Sequence, residues 1–115
     1  MLAKEKPDIV SVATPATSHA EITIEAANFG VKGIYCEKAI AVSLSECDRM
    51  IETCEKTGTV LMINHQRRWD SRYIQLKRFI DAGNIGSLKA IQISLGGGRL
   101  CRSGSHMFDL ALMFT

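Results

Sequence analysis

Nothing in the 115 residues approaches the roughly 18-residue apolar run of a membrane-crossing helix, so no membrane span is expected. The opening stretch, Met1-Leu2-Ala3-Lys4-Glu5-Lys6-Pro7, has no apolar targeting core, and no secretory signal is expected there. Charge of one sign is scarce too. The formal balance is only +2, too small to draw nucleic acid or a membrane surface by its field. The four cysteines, Cys36, Cys47, Cys54 and Cys101, contain no CxxC pair. Cys47 and Cys54 are spaced to share one helix face, which suits packing better than a bridge. Reduced thiols in a cytoplasmic protein follow as the expectation. His19, His65 and His106 are far apart, and no cysteine spacing matches a zinc pattern, so no metal site is expected. Internal repeats and low-complexity segments are missing as well. What remains is ordinary: 46% hydrophobic and 23% charged residues, with length for one main core.

The apolar segments alternate between two kinds. Asp8-Ile9-Val10-Ser11-Val12-Ala13 is short, β-branched and closed by Thr14-Pro15, which predicts a strand buried on both faces of a parallel sheet. Ser18-x-x-Glu21 has capping-box spacing, and Ile22, Ala26 and Phe29 follow at helical spacing up to Gly30. Lys32 to Cys36 predicts a second strand. Ser43-x-x-Glu46 is another capping box, with Leu44, Cys47, Ile51 and Cys54 as the apolar stripe of a helix ending at Gly58. Thr59 to Asn64 predicts a third buried strand. Strand, helix, strand, helix, strand with short connections means parallel βαβ units.

After Asn64 the pattern changes. Asp70 to Ala82 carries Tyr73, Leu76 and Ile80 on one side of a helix that Gly83 ends. Ser87 to Leu95 alternates, with Lys89, Ile91, Ile93 and Leu95 on one face, which predicts a half-buried strand of an antiparallel or mixed sheet. Gly96-Gly97-Gly98 predicts a flexible loop, and Ser105 to Phe114 the start of a helix. Stopping straight after Leu110-Ala111-Leu112-Met113-Phe114, inside an uncapped apolar helix, suggests a chain cut short. A boundary is expected between residues 64 and 70.

Four phrases together carry a resemblance. Asp8 to Pro15 followed by His19, then Tyr35-Cys36-Glu37-Lys38-Ala39, Asn64-His65-Gln66-Arg67-Arg68-Trp69, and Gly104-Ser105-His106-Met107-Phe108-Asp109 stand in the order and at the spacing of one family. They resemble the glucose-fructose oxidoreductase, inositol dehydrogenase and rhizopine-catabolism superfamily. Each phrase is weak alone, but together they span nearly the whole chain.

The resemblance implies an α/β fold. Residues 1–64 would be the second half of a dinucleotide-binding Rossmann domain, a βαβαβ parallel sheet. Residues 65–115 would begin an α/β substrate and oligomerisation domain with an open, mainly antiparallel sheet. The strand, GxGxxG turn and acidic ribose anchor of a first half are not among these residues, and Gly96-Gly97-Gly98 has neither the spacing nor the context to replace them. Without that half, the first strand should be an exposed edge, and self-association into a homo-oligomer is expected.

The resemblance also assigns roles. NAD or NADP would be the cofactor and a small sugar or polyol the substrate, with Thr14, Pro15, His19, Glu37, Lys38 and Gln66 toward the cofactor. Lys38, at the end of a parallel strand where such sheets bind ligands, would hydrogen-bond the substrate hydroxyl and favour the alkoxide. A surface Glu-Lys pair is its plain alternative. His106 has the pKa range for a general base, and its plain alternative is a buried histidine satisfied by backbone. His19 would shape the cofactor loop, and His65 is as consistent with packing. Arg67, Arg68, Arg72, Lys77 and Arg78 with Trp69 and Tyr73 read as a solvated helix face rather than a nucleic-acid patch, though one arginine near Gln66 could meet substrate or cofactor. Two departures stand out. Ala39 replaces the proline of the signature, and Arg102 stands where many polyol dehydrogenases have aspartate. The expectation is therefore a fragment of an NAD(P)-dependent oxidoreductase inactive alone, or else a non-catalytic assembly module.

Overall fold

Three strands form where β-branched residues cluster: β1 (Ile9–Val12), β2 (Gly33–Glu37) and β3 (Val60–Asn64). The computed structural model describes residues 1–94, 96–97 and 103–115, which fall into two units, Met1–Asn64 and His65–Thr115. In the first unit the strands lie in the order β1-β2-β3 and are all parallel, so β2 is central and β1 is an edge. The helices are α1 (Leu2–Glu5), α2 (His19–Phe29) and α3 (Leu44–Thr57), and α2 and α3 make the two crossovers.

The pairing register explains where the core sits. Val10 pairs with Ile34 and Ile34 with Leu61, while Val12 pairs with Cys36 and Cys36 with Ile63. These side chains share one face with Ala20, Ala26 and Ala27 of α2 and Met50 and Cys54 of α3, and form the core. The small residues of α2 let it pack closely on the sheet. Full burial of an Ile34-sized side chain stabilises the fold by about 1.5–3 kcal/mol.

The opposite face corrects the sequence reading. Ile9, Gly33 and Val60 are aligned there, next to Ser11, Tyr35 and Met62. Ile9 is 70% and Val60 69% exposed, so neither β1 nor β3 is buried on both faces. Among the described residues both crossover helices pack on one side of the sheet, and the other side is a shallow apolar groove of about 380 Å³.

The two helix starts differ. At Ser43 the side chain accepts from the Glu46 N–H at 3.3 Å, and Glu46 accepts from the Val42 N–H at 3.1 Å, which is the expected capping exchange displaced by one residue. Ser18 does not cap α2. A 3₁₀ turn (Ala16–Ser18) precedes the helix, and the Ser18 hydroxyl turns back to Thr14 Oγ1 at 2.8 Å and the Pro15 carbonyl at 2.9 Å. Gly30 and Gly58 end the two helices at φ 93° and 71°, in the left-handed region that favours glycine.

The second unit contains a 3₁₀ turn (Gln66–Trp69), α4 (Ser71–Asp81) and α5 (Ser105–Phe114). Asp70 caps α4 by accepting from the Arg72 N–H at 2.9 Å. Tyr73, Leu76 and Ile80 of α4 line an apolar pocket of about 530 Å³ together with Ile91, Leu110 and Phe114. The expected antiparallel sheet is corrected here. Residues 87–94 form no strand, and the sheet of the described residues is the parallel one alone. Alternation at Ile91 and Ile93 is a necessary pattern, but a strand also needs a neighbour for its backbone N–H and C=O groups, and none of the described segments supplies one. Leu95, Gly98, Cys101 and Arg102, on which part of the sequence reading fell, lie outside the described residues. No helix among the described residues is long and apolar enough to cross a membrane.

Candidate functional site

In the first unit the loops that follow β1 and β2 meet through one side chain. His19, the first residue of α2, is fully buried. Its Nδ1 lies 2.8 Å from the Ala39 carbonyl oxygen and its Nε2 lies 2.8 Å from the Thr14 carbonyl oxygen. His19 therefore contacts both loops from its buried position at the start of α2. Thr14 and Pro15 are exposed on the first loop, and Lys38 and Ala39 are partly buried on the second. The Lys38–Ala39 peptide bond is cis.

Glu37 closes β2 and pairs in register with Asn64, the last residue of β3. Asn64 donates from Nδ2 to Glu37 Oε1 at 2.5 Å, and its own side-chain oxygen is buried without a hydrogen-bond partner. This contact fixes one carboxylate oxygen of Glu37 and leaves the other able to accept from a ligand hydroxyl. Asn64 had no assigned role in the sequence reading. Its signals were its place at the end of the third strand and at the start of the phrase Asn64-His65-Gln66-Arg67-Arg68-Trp69.

Burial raises the Cys36 thiol above its ordinary pKa, with a Thr23 hydrogen bond acting the other way and Glu37 adding to the rise. Cys54 is raised by burial as well. Both are core thiols, inert in that state rather than nucleophilic.

In the second unit a polar cluster joins the turn after residue 65 to α5. Arg68 Nε donates to both carboxylate oxygens of Asp109, at 2.8 and 2.9 Å. His65 Nδ1 lies 3.7 Å from Asp109 Oδ2, too long for a hydrogen bond. The His65 ring meets the His106 ring edge-on, with centroids 6.1 Å apart and planes at 87°. His106 is buried at the start of α5. Asp109 is one helical turn from His106, a spacing visible in the sequence, yet its pairing with Arg68 was not foreseen. Gln66 is exposed in the 3₁₀ turn beside a polar pocket of about 400 Å³ that Arg67, Asp70, Arg72 and Tyr73 also line.

The basic residues of this unit are largely engaged. Arg72 pairs with Asp70 at 2.6 Å and Lys77 with Asp81 at 2.6 Å. Arg67 reaches Met107 Sδ at 3.8 Å. These intrahelical and local pairs fit a solvated face. Of the residues assigned from sequence, the structure thus gathers Thr14, Pro15, His19, Glu37 and Lys38 in the first unit and places Gln66 and His106 in the second.

A parallel βαβαβ sheet with its chemistry-bearing residues in the loops beyond the strand ends is the arrangement of a nucleotide-binding α/β protein. Residues 1–65 match the model of an oxidoreductase family with an NAD-binding Rossmann fold, and the chain belongs to that family, the glucose-fructose oxidoreductase, inositol dehydrogenase and rhizopine-catabolism superfamily. An inositol 2-dehydrogenase of Salmonella typhimurium is 38% identical over 80 residues, 69% of this chain and 24% of the relative. A 2,7-anhydro-N-acetylneuraminate hydratase of Mediterraneibacter gnavus is 36% identical over 88 residues, 76% of this chain and 23% of the relative. Among solved structures, an NAD-binding protein from Listeria innocua superposes with a TM-score of 0.79 at 26% identity, over 99% of this chain and 38% of that one. The chain spans about a quarter of the length of the curated relatives it matches.

Proposed function

We propose that these 115 residues form the nicotinamide-side and substrate-side part of an NAD(P)-dependent oxidoreductase acting on a sugar, polyol or related alcohol. The observation that carries this reading is the convergence of the Thr14 loop, Glu37 and the Lys38 loop on one end of the parallel sheet in a chain of this family. The fit to the cofactor is partial. Glu37, steadied by Asn64, suits a ribose hydroxyl, whereas neither βα connection (residues 13–18 and 38–43) holds the GxGxxG turn that seats a pyrophosphate.

When bound, the nicotinamide would supply the hydride acceptor or donor. Lys38 would donate a hydrogen bond to a reacting hydroxyl, whose oxygen gains negative charge, and His106, in the second unit, is the candidate general base by family resemblance. Thr14 and Pro15 would line the cofactor, and Gln66 would contribute a polar contact. With no pyrophosphate seat among these residues, the chain alone should not turn over substrate. Among the described residues the free cysteines Cys36, Cys47 and Cys54 suit a cytoplasmic setting.

The test is a titration of the 115-residue chain with nicotinamide mononucleotide, followed by backbone NMR. Shifts centred on Thr14, Glu37, Lys38 and Ala39, and weakened by Glu37→Gln, support the reading. Shifts scattered elsewhere, or none at millimolar ligand in a folded sample, overturn it.

A second reading, a non-catalytic assembly module, is favoured by one observation. β1 is an edge strand and the sheet face beside it is bare and apolar, a combination that invites pairing between copies.

A further inference from the structure

We infer that His19 is a positioning residue that staples the loop after β1 to the loop after β2, so that Thr14-Pro15 and Lys38-Ala39 keep a fixed spacing. Its consequence for function rests on the reading above. The staple itself stands on the geometry alone.

The two loops have no continuous backbone link. Thr14 and Ala39 are separated by α2 and β2, and the strand ladder between β1 and β2 ends at the Val12 and Cys36 pair. Beyond that pair the loops diverge from regular pairing, and His19 reaches both. The ring is fully buried, and each nitrogen is 2.8 Å from a carbonyl oxygen, one on each loop. If the ring swings away, both loop carbonyls lose their shared neighbour.

Each loop has a second restraint on its far side. Ser18 holds the first through Thr14 Oγ1 and the Pro15 carbonyl, and Glu46 holds the second through the Val42 N–H. These restraints are local to one loop, whereas His19 spans both. Loop one is thereby tied to α2 and loop two to α3, with the imidazole as the shared part.

Both partners of the ring are acceptors, so the ring faces a carbonyl oxygen of each loop, and the tautomer decides which of the two receives the N–H.

The first measurement uses the unaltered chain, labelled with ¹⁵N and ¹³C. Through-hydrogen-bond coupling from a His19 ring N–H to the Thr14 or the Ala39 carbonyl carbon, with ring-proton nuclear Overhauser contacts to both loops, is the expected result. No such coupling, or contacts to one loop only, overturns the staple. The second is hydrogen exchange of the Ser18 and Val42 amides, which report on one loop each. In His19→Ala both should lose protection together, by about tenfold or more, while the Thr59 amide, bonded to the Cys54 carbonyl at 2.9 Å, holds. Loss at only one loop overturns it as well. His19→Gln, which has a single amide donor group, should restore one loop and not both. Neither measurement involves a nucleotide, so its failure sinks the staple and leaves the mononucleotide titration to decide the functional reading.

Discussion

Asp70 shows how much of this molecule's surface chemistry is local. Its carboxylate takes hydrogen bonds from the Arg72 backbone and side chain, and these hold its pKa down, from 3.8 to about 2. A depressed acid contributes to stability above its unfolded pKa and loses that contribution as pH falls through the folded one. The start of α4 should therefore stay protected above about pH 4 and fray toward about pH 2. Amide exchange at Ile74, whose N–H bonds the Asp70 carbonyl at 3.1 Å, measures it. Asp70→Asn should flatten the profile by keeping a capping oxygen without a titrating charge. The thiols offer a second residue-scale outcome. Cys36 and Cys54 are buried with raised pKa values, and Cys47 is half-buried. Site-resolved mass spectrometry after brief iodoacetamide treatment should find Cys47 alkylated well before either. Equal labelling of Cys36 and Cys47 in folded protein would contradict the core placement.

Elements were legible in the sequence where one periodic signal met one stop signal. α3 runs from Ser43 as cap to Gly58 in the left-handed region, as its capping-box and glycine spacing indicated. The Ser18 spacing was identical in kind and misled, because the 3₁₀ turn before α2 redirected its hydroxyl to Thr14. Residues 87–94 misled for a different reason: alternation reports which side chains could share a face, and says nothing of whether a backbone partner exists. Motif order singled out Lys38 and His106 as candidates. The contacts between spatially neighbouring residues were not legible, since Asn64 with Glu37 and Arg68 with Asp109 pair across 27 and 41 positions. At this scale the central strand should be the least forgiving. Ile34 lies between Val10 and Leu61 and is 2% exposed. Ile34→Ala should cost about 2–5 kcal/mol, enough to unfold much of a small unit, whereas Ile9→Ala on the bare face should cost well under 1 kcal/mol. Urea titration followed by circular dichroism compares the two. A similar loss for both would mean that the exposed face is covered in solution.

For the whole molecule, the bare face and the β1 edge bear on solubility. Ile9, Val60 and Met62 are apolar and exposed on the sheet face, and β1 has an open outer edge among the described residues; such edges recruit other chains. Sedimentation should show concentration-dependent association that Ile9→Lys reduces, since a charge on that face opposes stacking and edge pairing alike. A monomer at high concentration would set aside the assembly reading and leave the oxidoreductase one. The family was visible at this scale from the sequence, because four short phrases kept their order. The one-sided sheet was not, because a strand's apolar composition does not record how many of its faces are packed.

The strand order has a further consequence, in the time domain. Among the described residues each strand pairs with its neighbour along the chain, and the closures that join Val10 to Ile34 and Ile34 to Leu61 span loops of nearly equal length. Neither pairing has to wait for a distant segment, so the entropic cost of closing each is modest and similar. A ribosome releasing this stretch would deliver β1, α2 and β2 as one early folding step and α3 with β3 as the next, each able to dock on what came before.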